Sequence, residues 1–144
     1  MNLKLKFDGN TAYICQHDIK NETLRGIFKD LTVLHDFVKN ADRSEYTPRQ
    51  VIRCIRPILE GFLKIKYFGI IDDKKWLGDI IGMIRESSSD SILHSQLPNY
   101  DELSELNDYT AQYHHGDSLY LEDDINEQEL RQYCQRTIEL LYKL

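Results

Sequence analysis

Apolar residues recur every three or four positions through most of this chain, which is the spacing of one face of an α-helix. The segments with this spacing begin at about Glu22, Thr47, Trp76, Asn99 and Asn126. Helices that each bury one apolar stripe pack together as a bundle. The pattern therefore predicts a mainly α protein, a compact helical bundle of about five helices over residues 22–144.

Three of these segments open with residues typical of helix starts. Thr47-Pro48-Arg49-Gln50 combines a capping threonine, a proline at the first helical position and a glutamine at the third. Asn99 and Asn126 each precede a glutamate by three residues, so we expect each to be a helix N-cap. Pro57 lies inside the second segment and predicts a kink there.

The first residues follow a different pattern. Apolar and lysine residues alternate before Asp8-Gly9-Asn10, and Thr11–Cys15 follow. Alternation around an Asp-Gly turn is a strong hairpin signal. We predict a short β-hairpin appendage over residues 1–16 and a single domain over residues 1–144.

Charge is distributed unevenly between the two halves of the chain. The net charge is −6, yet residues 1–66 hold 12 Lys and Arg against 8 Asp and Glu, whereas residues 67–144 hold 6 against 16. An acidic half repels a phosphate backbone, which disfavours broad nucleic-acid binding. A local site that accepts one RNA segment stays open.

Composition also bears on compartment and cofactors. The three cysteines are far apart and have no zinc-binding spacing, so we expect buried or free thiols in a cytoplasmic protein. No apolar run approaches the ~20 residues that span a membrane, and we expect no membrane partner.

The stretch Asn107–Asp117 carries the densest candidate chemistry. His114 follows Asn107 by seven residues, close to two helical turns, so the two share one face, and Asp108 and His115 are related in the same way. Histidine gives and takes protons near neutral pH, which fits a catalytic or ligand site, and a polar helix C-cap is the alternative. A His-His-x-Asp metal site lacks a second ligand-spaced motif, so we predict no metal.

A second candidate group lies in the predicted helix that contains Pro57. Arg56 and Glu60 are four residues apart on one helix face, and Arg53 is one turn earlier. An exposed ion pair of small energy is one interpretation. A pair partly buried at the proline bend is the other.

Together these segments resemble a known family. The chain resembles the C-terminal helical region of AAA/ABC-type ATPases of bacterial defence loci in four runs, Ile52–Lys64, Trp76–Ile81, Leu106–Tyr109 and His114-His115. That region is similar in turn to anticodon-nuclease domains of the HEPN superfamily. The resemblance spans about residues 50–142. It implies a HEPN-like bundle, although the chain itself has no Walker A motif.

The resemblance also implies an activity and a site. The implied activity is that of a metal-independent RNA endonuclease that needs no cofactor and acts on RNA such as tRNA, or the chain is a degenerate relative of such an enzyme. The resemblance further implies a homodimer that belongs to a bacterial toxin or defence system. Arg56, Glu60 and His114 or His115 match the catalytic set. The residues implied to contact substrate are Asn107, Asp108 and Arg53. The alternative is a noncatalytic interaction or regulatory module that docks an AAA/ABC-type ATPase partner.

Overall fold

Five α-helices make up most of the structure. The computed structural model describes the backbone of residues 5–8, 11–14, 17–40, 43–114 and 125–144, and the side chains of residues 25–40, 43–113 and 125–144. The helices are α1 (His17–Asn40), α2 (Pro48–Lys66), α3 (Leu77–Arg85), α4 (Tyr100–His114) and α5 (Glu127–Leu141), with a 3₁₀ helix (Ile92–Asn99) before α4. The prediction of a mainly helical bundle is confirmed.

Two short strands precede α1. Strands β1 (Leu5–Asp8) and β2 (Thr11–Ile14) pair antiparallel, with Leu5 opposite Ile14 and Asp8 opposite Thr11. How this pair packs on the helices, and the single-domain assignment, stay predictions.

Helix α2 lies at the centre of the bundle and contacts α1, α3, α4 and α5. Its amphipathic pattern accounts for this position, because seven of its apolar residues are buried on the faces toward those neighbours. The largest fully buried side chains of the core are Phe37, Leu34, Ile52, Ile55, Ile58, Leu59, Leu63, Leu77, Ile80, Ile84, Leu103 and Leu106. The core thus extends from α1 through α2 to α3 and α4.

Two predicted helix starts are confirmed by their hydrogen bonds. Before α2, the Gln50 N–H donates to Thr47 Oγ1 at 3.3 Å and the Thr47 N–H donates to Gln50 Oε1 at 3.0 Å. Before α5, the Glu129 N–H donates to Asn126 Oδ1 at 2.9 Å. Each bond joins residues three apart, so the local sequence suffices to specify it.

The predicted N-cap at Asn99 is wrong. The Asn99 side-chain amide donates to Gln96 Oε1 at 3.0 Å and to the Lys143 carbonyl oxygen at 3.3 Å. The 3₁₀ helix runs directly into α4, and the Tyr100 N–H donates to the Leu97 carbonyl. A continuous helical backbone leaves no extended N-cap position for Asn99 to occupy.

Two positions in α2 affect its packing. The helix continues through Pro57, whose side chain is exposed rather than part of the apolar face. Gly61 faces α1 closely, since a Cβ atom built there would meet Ile27 Cδ1 at 2.9 Å. Glycine therefore permits the observed approach of α1 and α2.

Candidate functional site

Three helices bring polar groups together at one place in the bundle, which we call the three-helix junction. It comprises Arg56 and Glu60 of α2, the start of α3 at Leu77, and Asn107 of α4. The apolar residues around α2 hold these helices together, so the polar groups meet although up to 51 residues separate them in the sequence.

Glu60 joins α2 to the start of α3. One carboxylate oxygen accepts a hydrogen bond from the Leu77 N–H at 2.9 Å, and the other accepts one from Lys64 Nζ at 3.0 Å. Leu77 is the first residue of α3, whose N–H has no partner within its own helix. The carboxylate therefore caps α3 and neutralises Lys64, with only 16% of the Glu60 side chain exposed.

Arg56 joins α2 to α4. Its Nη2 donates to Asn107 Oδ1 at 3.0 Å, and its Nε is buried without a hydrogen-bond partner in the part of the chain that the structure describes. A Cβ atom on Gly78 would lie 3.8 Å from Asn107 Nδ2, so the first turn of α3 borders the same amide. The half-buried guanidinium thus keeps unused donor capacity beside an oriented amide.

The predicted ion pair between Arg56 and Glu60 is wrong, in both its exposed and its buried form. Among the described residues Glu60 pairs with Lys64 instead, and Arg56 binds Asn107. The physical reason is that both carboxylate oxygens of Glu60 are already engaged, one of them by a backbone N–H that only the tertiary fold supplies.

The other candidate residues are placed as follows. Arg53 and Asp108 are exposed, on α2 and α4 respectively. His114 is the last residue of α4, and its backbone lies about 10 Å along the helix axis from that of Asn107. The His114 side chain and all of His115 lie outside the described residues. Whether a histidine meets Arg56 stays a prediction.

A second charged group ties α4 to α5. The Arg136 guanidinium donates twice to Glu102, at 2.8 Å each, and once to Glu105 at 2.5 Å. Such a two-pronged bond is the strong form of an Arg–carboxylate pair. The hydrogen bonds from Arg136 lower the pKa of Glu102 below its usual range.

Two described cysteines are buried in the core. Burial raises the pKa of the Cys54 and Cys134 thiols to about 12. Thiolate is the nucleophilic and metal-binding form, so neither residue has reactive-cysteine chemistry at neutral pH. Across the residues that the structure describes, no group of three or more His, Cys, Asp or Glu side chains is arranged to hold a metal ion. The predicted segment His114–Asp117 falls outside that search.

None of the described helices is both long enough and apolar enough to cross a lipid bilayer.

The sequence did not single out Lys64 or the start of α3 as parts of the junction. Lys64 follows Glu60 by four residues, a spacing at which side chains pair on one face of a helix. The ion pair between Lys64 and Glu60 could therefore have been predicted from the sequence. Nothing in the sequence indicates that Glu60 caps a helix 17 residues further on.

Comparison with protein-family models, with curated proteins and with solved structures finds no match to this chain.

Proposed function

We propose that this chain is a HEPN-like, metal-independent RNA endonuclease, or a degenerate relative of one, that acts on RNA of the tRNA class. One observation carries the proposal: Arg56 donates a hydrogen bond to Asn107 of α4, the helix that ends at His114. A phosphate-binding arginine and a proton-transferring histidine are thereby carried by two directly bonded helices. Their order along the chain agrees with the resemblance.

The reaction that fits these residues is an internal transfer at phosphorus. The ribose 2′-oxygen attacks the adjacent phosphate and its proton passes to His114 or His115. The new 2′-O–P bond forms as the P–O5′ bond breaks, and the 5′-oxygen takes a proton, so that the products are a 2′,3′-cyclic phosphate and a free 5′-hydroxyl. A histidine near neutral pKa suits both proton transfers.

Arg56 would stabilise the charge that develops on the phosphorane. Its planar guanidinium donates to two phosphate oxygens at once, which lysine cannot do. Asn107 orients that guanidinium, and Glu60 acts as a positioning residue through its cap on α3. Arg53 and Asp108, both exposed, would contact the RNA outside the reacting phosphate.

The remaining parts of the proposal follow the same resemblance. The site would be completed in a cytoplasmic homodimer, and an AAA/ABC-type ATPase partner would control it in a bacterial defence or toxin system.

A specific observation favours a second candidate function, a noncatalytic module that docks such an ATPase. Both oxygens of Glu60 accept hydrogen bonds from within the fold, and Arg56 donates to Asn107 of the same fold. On this alternative, the polar groups of the junction serve only to hold α2, α3 and α4 together.

An RNA cleavage assay tests the proposal. The purified protein is incubated with total tRNA in EDTA, and the cleaved ends are analysed for 2′,3′-cyclic phosphate. We expect cleavage by the wild type, none by the His114→Ala/His115→Ala double variant, and a rate about 100-fold lower for Arg56→Lys. His35→Ala and Arg85→Lys replace exposed residues of the same types elsewhere in the bundle and should cleave normally.

Two results would count against the nuclease. RNA left equally intact by wild type and by the double histidine variant contradicts it directly. Alternatively, a melting temperature lowered sharply by Arg56→Ala, with no cleavage by any variant, would favour the interaction module.

A further inference from the structure

Gly78 lies in the first turn of α3, where the backbone does not require a glycine. In the described part of the chain only Gly69 has a positive φ, so Gly78 has a conformation that any residue can adopt. Glycine is less favourable than alanine inside a helix, because it loses more backbone freedom on folding. The reason for a glycine at this exposed position is therefore not backbone geometry.

Packing does not require a glycine at this position either. A Cβ atom on Gly78 would have one neighbour within 4 Å, Asn107 Nδ2 at 3.8 Å, which is an ordinary van der Waals distance. Alanine would fit there without moving a neighbour, in contrast to Gly61, where a Cβ atom would meet Ile27 at 2.9 Å. What the glycine leaves is open space on one side of the Asn107 amide.

The Asn107 amide turns its donor side toward that space. Arginine only donates hydrogen bonds, so the amide oxygen must face Arg56, and Asn107 Oδ1 accepts from Arg56 Nη2 at 3.0 Å. The amide nitrogen lies near Gly78, and its two N–H groups have no hydrogen bond to any described residue. Asn107 is half-buried and Gly78 is exposed, so a ligand can reach this nitrogen from solvent.

The charges near this space balance. Arg56 and Lys64 provide two positive charges. Glu60 and Asp79 provide two negative charges, and each of these carboxylates accepts a backbone N–H at the start of α3. Net charge therefore selects neither an anion nor a cation here. The two N–H groups of a neutral amide select a hydrogen-bond acceptor.

We propose that Gly78 is a specificity-determining position, at which the missing side chain admits an acceptor oxygen of RNA to the Asn107 amide nitrogen. We call the space between Gly78 and Asn107 Nδ2 the oxygen site. An oxygen bound at about 2.9 Å from that nitrogen needs the volume that an alanine methyl group would fill, so the two exclude each other. The proposal deepens the proposed function and rests on it for RNA as the ligand.

The oxygen site adjoins the group that is proposed to bind the reacting phosphate. Asn107 is bonded to Arg56, so an RNA oxygen on the amide nitrogen lies next to the part of the strand that the guanidinium holds. This oxygen belongs either to a phosphate or to a base carbonyl. In both cases its role is to align the strand.

Binding of uncleavable RNA tests the oxygen site. Fluorescein-labelled 2′-O-methyl oligouridine, whose blocked 2′-oxygen prevents cleavage, is titrated with each protein, and binding is followed by fluorescence anisotropy. We expect about tenfold weaker binding by Gly78→Ala, the effect of one lost hydrogen bond. Gly82→Ala is the matched control, because Gly82 lies on the same helix and a Cβ atom there meets nothing within 4 Å.

Two results of this titration overturn the proposal. One is equal affinity of Gly78→Ala and Gly82→Ala for the oligonucleotide. The other is absence of binding by the wild type at about 50 mM salt, where nucleic-acid contacts are strong.

Urea denaturation separates a lost contact from a damaged fold. Both substitutions replace glycine by a better helix former, so each should raise the urea midpoint. Weaker binding by a Gly78→Ala protein with a raised midpoint reports a lost ligand contact. A midpoint below that of the wild type would show that position 78 has a structural role, and it would overturn the proposal.

A double-mutant cycle tests the role of the amide nitrogen. Asn107→Asp keeps an oxygen for Arg56 and removes both N–H donors. Adding Gly78→Ala to this variant should weaken binding by less than about twofold, because the contact that the methyl group blocks is already absent. A tenfold loss that persists in the Asn107→Asp background contradicts the proposal.

A second oligonucleotide distinguishes the two sources of the oxygen. Uracil has carbonyl oxygens, whereas adenine has none. A loss of affinity in Gly78→Ala that is confined to oligouridine assigns the oxygen site to a base carbonyl. An equal loss with 2′-O-methyl oligoadenosine assigns it to a phosphate.

Failure of the oxygen site and failure of the nuclease are distinguishable. RNA binding that is weakened by Gly78→Ala, without tRNA cleavage by any protein, retains the oxygen site and rejects the nuclease. Cleavage of tRNA with equal kcat/KM by wild type and Gly78→Ala retains the nuclease and rejects the oxygen site.

Discussion

Removal of the Glu60 carboxylate should destabilise the protein, because it ends the link between α2 and α3. In Glu60→Ala the Leu77 N–H loses its acceptor, and Lys64 Nζ loses its carboxylate partner and keeps only the Asp73 carbonyl oxygen. A hydrogen bond to a charged group contributes about 1.5–3 kcal/mol, and a charge at a helix N-terminus about 0.3–1 kcal/mol. These contributions overlap, so we expect a loss of about 2–3 kcal/mol in the free energy of unfolding.

Urea denaturation followed by circular dichroism measures this loss. A protein of this size should also melt about 5–10 °C lower. Glu60→Gln keeps an oxygen for the Leu77 N–H but loses the charge, so we expect a smaller loss of about 1 kcal/mol.

Glu86→Ala provides the control at the other end of α3. Its ion pair with Arg85 is exposed, and we expect a change below about 0.5 kcal/mol. A Glu60→Ala protein that unfolds within about 0.5 kcal/mol of wild type would refute the argument that this carboxylate holds the junction together.

Two further predictions follow from the altered pKa values. Burial raises the pKa of the Cys54 and Cys134 thiols to about 12. A Cys15→Ser variant should therefore react only slowly with a disulfide reagent at pH 8 until urea unfolds the protein and exposes both thiols. Rapid reaction of the folded variant would contradict this prediction. Arg136 lowers the pKa of Glu102 in the folded protein below its ordinary value of 4.5. The ion pair between them therefore contributes its full stabilisation above pH 4.5 and loses it as pH falls through the lower folded-state pKa. The difference in urea midpoint between wild type and Glu102→Gln should therefore shrink from pH 6 to pH 3, and a difference independent of pH would exclude the pair as its cause.

The sequence predicts those features of the fold whose causes are local. The apolar spacing predicts the helices, and the caps at Thr47 and Asn126 follow from residues three positions apart. Asn99 has the same local pattern, yet its amide bonds to Lys143, 44 residues away, so tertiary structure overrides the pattern.

The candidate site is predicted less completely, for the same physical reason. The sequence singles out Arg56, Glu60 and Asn107, and all three meet at the three-helix junction. It assigns Arg56 and Glu60 to each other because they are neighbours on a helix face. Arg56 instead binds Asn107 of α4, and Glu60 binds Lys64 of its own helix and the Leu77 N–H of α3. Helix packing decides the contacts with α3 and α4, and the sequence does not reveal it.

The close approach at Gly61 also limits how α1 and α2 can be aligned. Ile27 faces the one position in α2 that has no side chain. A slide of one helical turn would bring Ile27 opposite Pro57 or Ile65, both of which carry side chains. Gly61 therefore favours the native alignment of α1 with α2 over alignments shifted by one helical turn. In this way it helps the sequence to specify a single packing of its central helix.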